Sequence, residues 1–152
     1  MLVLATLLAG AAVAAPTGPV LVVEDVDSGE RYLSVPVEEG STVALEYTHS
    51  VEKSRVYDEY RVDGRTLVQT RMEFESYGWG LPSGADVENV DGTLVYDPAE
   101  PIVELETLLV SPGRIAGHTL IVDDRRYDLV ARTNASDVRI RVEHRTIGDF
   151  LG

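Results

Sequence analysis

The residues best suited to chemistry in this chain lie close together in the stretch YTHSVEKSRVYDEY, residues 47–60. His49, one of three histidines, directly precedes Ser50, and acidic residues follow at Glu52 and Asp58. A histidine beside a serine suggests a hydrolase, and a histidine near carboxylates suggests a metal site. The alternative is two strands and a turn that carry polar side chains. The elements that position these residues decide between the three interpretations.

Those elements are predicted to be strands. Past Pro19 the chain alternates apolar and polar residues over short runs separated by turn residues, and no stretch keeps the 3.6-residue period of a helix. This pattern predicts an all-β fold, an antiparallel β-sandwich or partly closed barrel of about 8–10 short strands, with Gly78 to Gly92 as the longest loop. The predicted strands are Val20–Val26, Arg31–Val37, Thr42–His49, Arg55–Val62, Thr66–Ser76, Thr93–Tyr96, Ile102–Val110, His118–Val122, Arg126–Arg132 and Asp137–His144.

The hydrophobic pattern also predicts the register of the hairpin that carries His49. His49 shares the apolar face of its strand with Tyr47, so it is expected to point inward. A four-residue turn after His49 would pair it with Ser54 and would pair Tyr47 with Val56, which keeps the apolar face continuous.

The next hairpin is predicted to turn through three residues, Asp63-Gly64-Arg65, because this length buries Val68, Met72 and Phe74. In that register Asp58 points inward across from Thr70. A buried carboxylate is costly without a hydrogen bond or a cation, so Asp58 is expected to have a partner.

Catalysis is not expected. Consecutive residues on a strand point to opposite faces, so His49 and Ser50 cannot share a proton, and the chain has no G-x-S-x-G motif. Glu73 and Glu75 share one face at roughly 7 Å, a spacing that a glycosidase could use. Cross-strand ion pairing, with Arg55 opposite Glu73, is the commoner use of such residues.

A metal site remains the alternative function: a metal-binding protein or metal-dependent hydrolase that uses His49 with His118 or His144. Each histidine begins or ends an apolar alternation, and Glu52 or Asp58 could add a carboxylate ligand. The spacing matches no known ligand motif, however, and histidines often cap strand ends by hydrogen bonding to the backbone. We therefore expect no cofactor.

A glycine-rich loop from Ser76 to Gly84 carries two aromatic residues, Tyr77 and Trp79. Both could line a ligand pocket or contact a partner, because aromatic residues are enriched in binding hot spots. Trp79 could instead close the end of the sandwich. The loop contains no phosphate-binding motif, since no helix follows it.

Length and the amino terminus predict one exported domain. At 152 residues the chain has room for a single core. Residues 1–14 form an uncharged apolar run that ends in Ala-Val-Ala, which is typical of a signal peptide, or of an anchor if it is not cleaved. Residues 15–152 then form the domain. The chain has no cysteine, so no disulfide stabilises it.

The charge excludes some partners. A net charge of −13 argues against nucleic acid or an anionic membrane surface. Lys53 is the only lysine, and a chain that is acidic, poor in lysine and still 44% hydrophobic is typical of folding in concentrated salt. This composition favours a halophilic source over an acidic mesophile.

Four blocks of the sequence together carry a resemblance to a known family. The blocks are THSVEK (48–53), EYRVDG (59–64), SYGWGLPS (76–83), and SPGRIAGHTLIV (111–122) followed by RVEHR (141–145). In combination they are similar to the signature of the domain-of-unknown-function 1850 (DUF1850) family of bacteria and archaea. Its members resemble one another as small exported proteins, often encoded beside TAXI-type tripartite ATP-independent periplasmic (TRAP) transporters, which import organic acids. The resemblance covers nearly the whole mature chain.

The resemblance implies a non-catalytic accessory or binding protein of a TRAP transport system, located outside the cytoplasmic membrane. A tryptophan at position 79 departs from the family pattern, in which a smaller residue is usual. We expect the His49 turn and the loop from Tyr77 to Ser83 to contact the transporter's membrane subunit or its solute-binding protein. A module that binds a carboxylate is a further alternative, and it would need an inward arginine near the loop. The predicted binding residues are His49, Ser50, Glu52, Glu59, Tyr77, Gly78, Trp79, Gly80, Leu81 and Pro82.

Overall fold

Two antiparallel sheets form the fold in a computed structural model that describes residues 18–76 and 86–144. The predicted all-β class is therefore confirmed, and the sheets do not close into a barrel. The elements in chain order are β1 Pro19–Asp25, β2 Arg31–Pro36, β3 Thr42–Thr48, β4 Arg55–Asp63, β5 Thr66–Phe74, β6 Glu88–Val90, β7 Thr93–Tyr96, β8 Val103–Leu105, β9 Leu108–Val110, β10 Thr119–Val122, β11 Arg125–Asp128, α1 Leu129–Thr133 and β12 Val138–His144.

The smaller sheet has the order β2-β1-β12-β9, and the larger has the order β11-β10-β3-β4-β5-β7-β6. Strand β8 also pairs with β5, beside the start of that strand, whereas β7 pairs with its end. The inner faces of the two sheets bury one main core of aliphatic side chains, which includes Leu21, Ile140, Leu120 and Leu67. Period-two alternation produces this arrangement, because every second side chain of a strand points to the same face.

A second, smaller core lies beside the first one. Val56, Met72 and Phe74 form its centre, and Tyr47 packs against both cores. Along β4 the inward face therefore runs from Val56 in the second core to Tyr60 in the main core. Between these two side chains it carries a single acid, Asp58.

The hairpin between β3 and β4 is as predicted. Tyr47 lies opposite Val56, and the backbone N–H of His49 donates to the carbonyl of Ser54 at 2.8 Å. Four residues form the turn, and Lys53 adopts a positive φ of 55° there.

The predicted hairpin between β4 and β5 is wrong in one respect. The turn has two residues, so Asp63 pairs with Thr66, and an extra residue in β5, Thr70, forms a β-bulge opposite Glu59 and Tyr60. The bulge reverses the side-chain alternation within β5. Met72 and Phe74 are buried as predicted, but Asp58 lies opposite Met72 rather than Thr70.

The same bulge changes which residues of β5 point inward before it. Leu67 joins the main core, and Val68, which is also buried, belongs to neither core. Gln69 follows Leu67 by two residues and is buried as well. A polar amide therefore lies on the inner face, where the predicted register had placed Val68.

Three other predicted elements differ from the structure. The predicted strand Ile102–Val110 is two strands, because β8 pairs with the larger sheet and β9 with the smaller one. The second half of Arg126–Arg132 is a helix, since Asp128 caps its first turn by accepting from the N–H of Ala131 at 2.9 Å. Strand β6 lies inside the predicted long loop.

Within residues 18–76 and 86–144, no helix has the length and hydropathy that crossing a bilayer requires.

A ladder of ion pairs crosses the outer face of the larger sheet. Glu46 binds both Arg126 and Arg55, and Glu73 binds both Arg55 at 3.1 Å and Arg71 at 2.9 Å. Arg55 thus forms the predicted ion pair with Glu73, but the contact is diagonal, because Glu73 lies opposite Tyr57 rather than Arg55. Because each of these side chains is partly exposed, a single pair adds at most about 1 kcal/mol to stability.

We expect Leu120→Ala to lower the free energy of unfolding by about 3 kcal/mol, because it leaves a cavity where β10 contributes to the main core. Leu109→Ala is the matched control, since Leu109 is 68% exposed and should change stability by less than about 0.5 kcal/mol. Denaturant titration of both variants measures the difference. Equal effects would contradict the placement of the core.

Candidate binding cleft

A cleft of about 610 Å³ opens beside the end of β3, where the His49 turn meets the segment between β9 and β10. Clefts of this size are typical of small-molecule sites. A hydrogen bond of 2.8 Å from the N–H of Thr48 to the carbonyl of Ala116 joins the two sides. The lining residues are Tyr47, Thr48, His49, Ser50, Asp58, Tyr60, Gln69, Met72, Ser111, Gly113, Ala116 and His118.

Asp58 forms the polar floor of the cleft. Its side chain is buried between the two cores and accepts one hydrogen bond on each oxygen, from the hydroxyl of Tyr47 and from Nε2 of Gln69, both at 3.2 Å. The sequence-based expectation of an inward Asp58 with a hydrogen-bond partner is confirmed. Burial raises the pKa of Asp58 to about 6, although the hydrogen bond from Tyr47 acts in the opposite direction.

Tyr47 links the floor to the far wall of the cleft. Its ring stacks on His118 with 4.9 Å between the ring centroids and 12° between the planes. Burial lowers the pKa of His118, and burial followed by the charge of Asp58 raises the pKa of Tyr47. Both rings are therefore neutral near pH 7. Among the described residues, nothing forms a hydrogen bond with the buried Nδ1 of His118.

His49 holds the turn together. Its Nδ1 accepts from the backbone N–H groups of Glu52 at 3.2 Å and Val51 at 3.4 Å. The ring is half-buried and lines the cleft, which agrees with the predicted inward direction, and Ser50 beside it is exposed. His49 therefore satisfies backbone donors that would otherwise lack partners in the turn.

Two exposed apolar side chains flank the cleft. Val51 lies at the tip of the His49 turn and is 67% exposed, and Ile115 lies in the segment on the opposite side and is 81% exposed. We call these two residues the cleft rim. A partner that covered the cleft would remove both apolar side chains from water.

The structure brings together only some of the predicted binding residues. His49 and Ser50 line the cleft, and Glu52 is exposed in the same turn. Glu59 points to the outer face, where it accepts a hydrogen bond of 3.1 Å from the hydroxyl of Tyr57. The remaining six, Tyr77, Gly78, Trp79, Gly80, Leu81 and Pro82, lie outside the described residues.

The three histidines do not converge. His144 lines a separate cleft with Ser41, which precedes β3, whereas His49 follows the end of that strand. A strand rises by about 3.3 Å per residue, so Ser41 and His49 are roughly 26 Å apart. In the part of the chain that the structure describes, no three His, Cys, Asp or Glu side chains are placed to hold a metal ion.

Sequence reasoning did not identify three contributors to the cleft: Gln69, Tyr60 and the stacked ring of His118. Gln69 was missed because the bulge at Thr70 turns it inward. The stacking of His118 on Tyr47 depends on the pairing of β10 with β3, which joins segments that are distant in the sequence. The alternation of apolar and polar residues that places Asp58 inward also places Tyr60 inward. Of the three residues, only Tyr60 could have been identified from this pattern.

Comparison with protein families places the chain in one of them. The model of the family described as domain of unknown function (DUF1850) matches residues 43–129, more than half of the chain. The matched segment runs from β3 to the start of α1, and it includes all the described residues that line the cleft. Neither a curated protein nor a solved structure gives a match.

The raised pKa of Asp58 predicts a stability that depends on pH. The folded protein binds the proton more tightly than the unfolded chain, because the pKa is about 6 when folded and its ordinary value is 3.8. This contribution is therefore fully present below pH 3.8 and is lost as the pH rises through about 6.

Asp58→Asn removes this titration. We expect its unfolding free energy, relative to that of the wild type, to rise by about 2–3 kcal/mol between pH 4 and pH 8. Denaturant titration of both proteins in the same salt gives this difference. The other acidic groups contribute equally to both unfolding free energies, so their contributions cancel. A difference that stays constant with pH would show that Asp58 titrates normally.

Proposed function

Because the chain belongs to the DUF1850 family, we propose that it is a non-catalytic binding protein that works outside the cytoplasmic membrane as an accessory of a TRAP transport system. The observation that carries the proposal is the cleft rim, in which Val51 and Ile115 present exposed apolar side chains on either side of one concave surface. Burial of such side chains by a partner is favourable by about 25 cal/mol for each Å² removed from water.

The geometry of the His49 turn supports binding rather than hydrolysis. His49 uses Nδ1 to accept two backbone N–H groups, and the exposed Ser50 beside it has no acid-base partner among the described contacts. Glu73, the other catalytic candidate, is bound by Arg55 and Arg71 on the outer face of the sheet. These contacts favour a structural role for both candidates.

The location of the protein is proposed from the chain itself. Residues 1–14 have the composition of an export signal or an uncleaved anchor, and the absence of cysteine excludes a lipid-modified cysteine as a tether. The acidic composition favours a halophilic source, in which salt screens the repulsion among acidic side chains. The second contact surface that we propose, the loop from Tyr77 to Ser83, lies outside the described residues.

Capture from membranes tests the accessory role. Tagged protein in high salt is expected to retain the transporter's membrane subunit or its solute-binding protein, and mass spectrometry tells which of the two is bound. The double variant Val51→Ser, Ile115→Ser should reduce recovery at least tenfold, because it removes both apolar side chains of the rim. Serine at these exposed positions should leave the fold intact.

Leu109→Ser is the matched control, because Leu109 is exposed to a similar extent, 68%, but lies on β9, away from the cleft. It should retain the partner at the wild-type level. The accessory role is wrong if the wild type retains no transporter component. If the double variant retains the component as well as the wild type does, the rim is not the contact surface.

A further inference from the structure

The floor of the cleft carries a negative charge for which the described residues supply no positive partner. Asp58 is only 8% exposed, and the two hydrogen bonds that these residues donate to it come from neutral groups, Tyr47 and Gln69. Within residues 18–76 and 86–144, no ion pair involves Asp58 and no arginine or lysine lines the cleft. A buried carboxylate of this kind is stabilised by a cation that enters the cleft.

The unused acceptor positions in the cleft also favour a ligand that donates hydrogen bonds. A carboxylate has about four acceptor positions, and the two hydrogen bonds to Asp58 leave about two of them free. The buried Nδ1 of His118 has no partner among the described residues. Both side chains line the same cleft and adjoin Tyr47, Asp58 at its hydroxyl and His118 on its ring, but Nδ1 of His118 itself is closed off from solvent. A ligand that fills the site should therefore carry a positive charge and several N–H groups.

From these contacts we infer that the cleft binds a small organic ammonium ion, a protonated primary amine that donates to Asp58. The side chains of Met72 and Ala116 line the same cleft and offer an apolar surface to an alkyl chain. A metal ion is the less suitable cation, because the described residues supply no set of three His, Cys, Asp or Glu ligands. A free carboxylate is also unsuitable, since none of the described lining residues is an Arg or a Lys.

This inference does not depend on the transporter partner proposed above, because its test needs only the purified protein. Butylammonium, butyrate and butan-1-ol share a four-carbon chain and differ in charge, so they separate the contribution of the head group from that of the chain. Each is titrated by calorimetry in molar salt with a chelator present. The salt weakens general attraction to the acidic surface, and the chelator removes metal ions.

We expect butylammonium to bind saturably at one site, at least tenfold more tightly than butyrate or butan-1-ol. Asp58→Asn should weaken this binding at least tenfold. Asp124→Asn is the matched control, because it removes the same charge from an exposed turn outside the cleft, and it should change the affinity less than twofold.

A second measurement on the wild type does not depend on how the variant folds. The affinity for butylammonium should fall about tenfold from pH 8 to pH 5, because Asp58, with a pKa of about 6, becomes protonated. The other titratable groups of the cleft are Tyr47, Tyr60, His49 and His118. Burial raises the pKa of both tyrosines and lowers that of His118.

Three results would overturn the inference. The first is no saturable binding of butylammonium to the wild type. The second is equal binding of butan-1-ol, which would indicate an apolar cleft without selectivity for charge. The third is unchanged binding in Asp58→Asn, which would indicate general attraction to the acidic surface. A failed capture experiment would not affect any of these three results, so the two proposals are tested independently.

Discussion

One extra residue in β5 decides how the larger sheet presents its inner face. Without the bulge at Thr70, the strict alternation that buries Leu67 in the main core would turn Met72 and Phe74 toward the outer face. With the bulge, the same strand contributes to both cores. The bulge also places Gln69 on the inner face, where its amide can donate to Asp58. Both the second core and the floor of the cleft thus depend on this single irregularity.

Charged side chains have different partners and different exposure to solvent on the two faces of the larger sheet. On the outer face, Glu46 and Glu73 each bind two arginines, and solvent screens all of them. On the inner face, the described residues give Asp58 two neutral donors and no cation, and burial raises its pKa to about 6. Most protein cores contain apolar residues at such positions and so avoid the free-energy cost of ionising a buried carboxylate. Its presence at the bottom of an open cleft therefore indicates a site for a ligand.

The cleft combines two kinds of surface that suit two kinds of partner. The floor is polar and concave, while the rim is apolar and exposed through Val51 and Ile115. A small ligand would satisfy the floor, and a protein would bury the rim. If both bind, the His49 turn would connect the two events, because His49 lines the cleft and its Nδ1 fixes the backbone N–H of Val51.

The sequence by itself determined the all-β class, the family, the hairpin around His49 and the inward direction of Asp58. These features depend on local alternation and on turn chemistry, which are readable within about 10–15 residues. Only the tertiary structure decided the bulge at Thr70, the division of one predicted strand between two sheets, and the stacking of His118 on Tyr47. The last two depend on the pairing of segments that are distant in the sequence. The bulge was not predicted because the alternation that buries Met72 and Phe74 fits a three-residue turn as well as a two-residue turn followed by a bulge. The cleft formed by these long-range contacts therefore could not be predicted from the sequence, although the inward direction of Asp58 could.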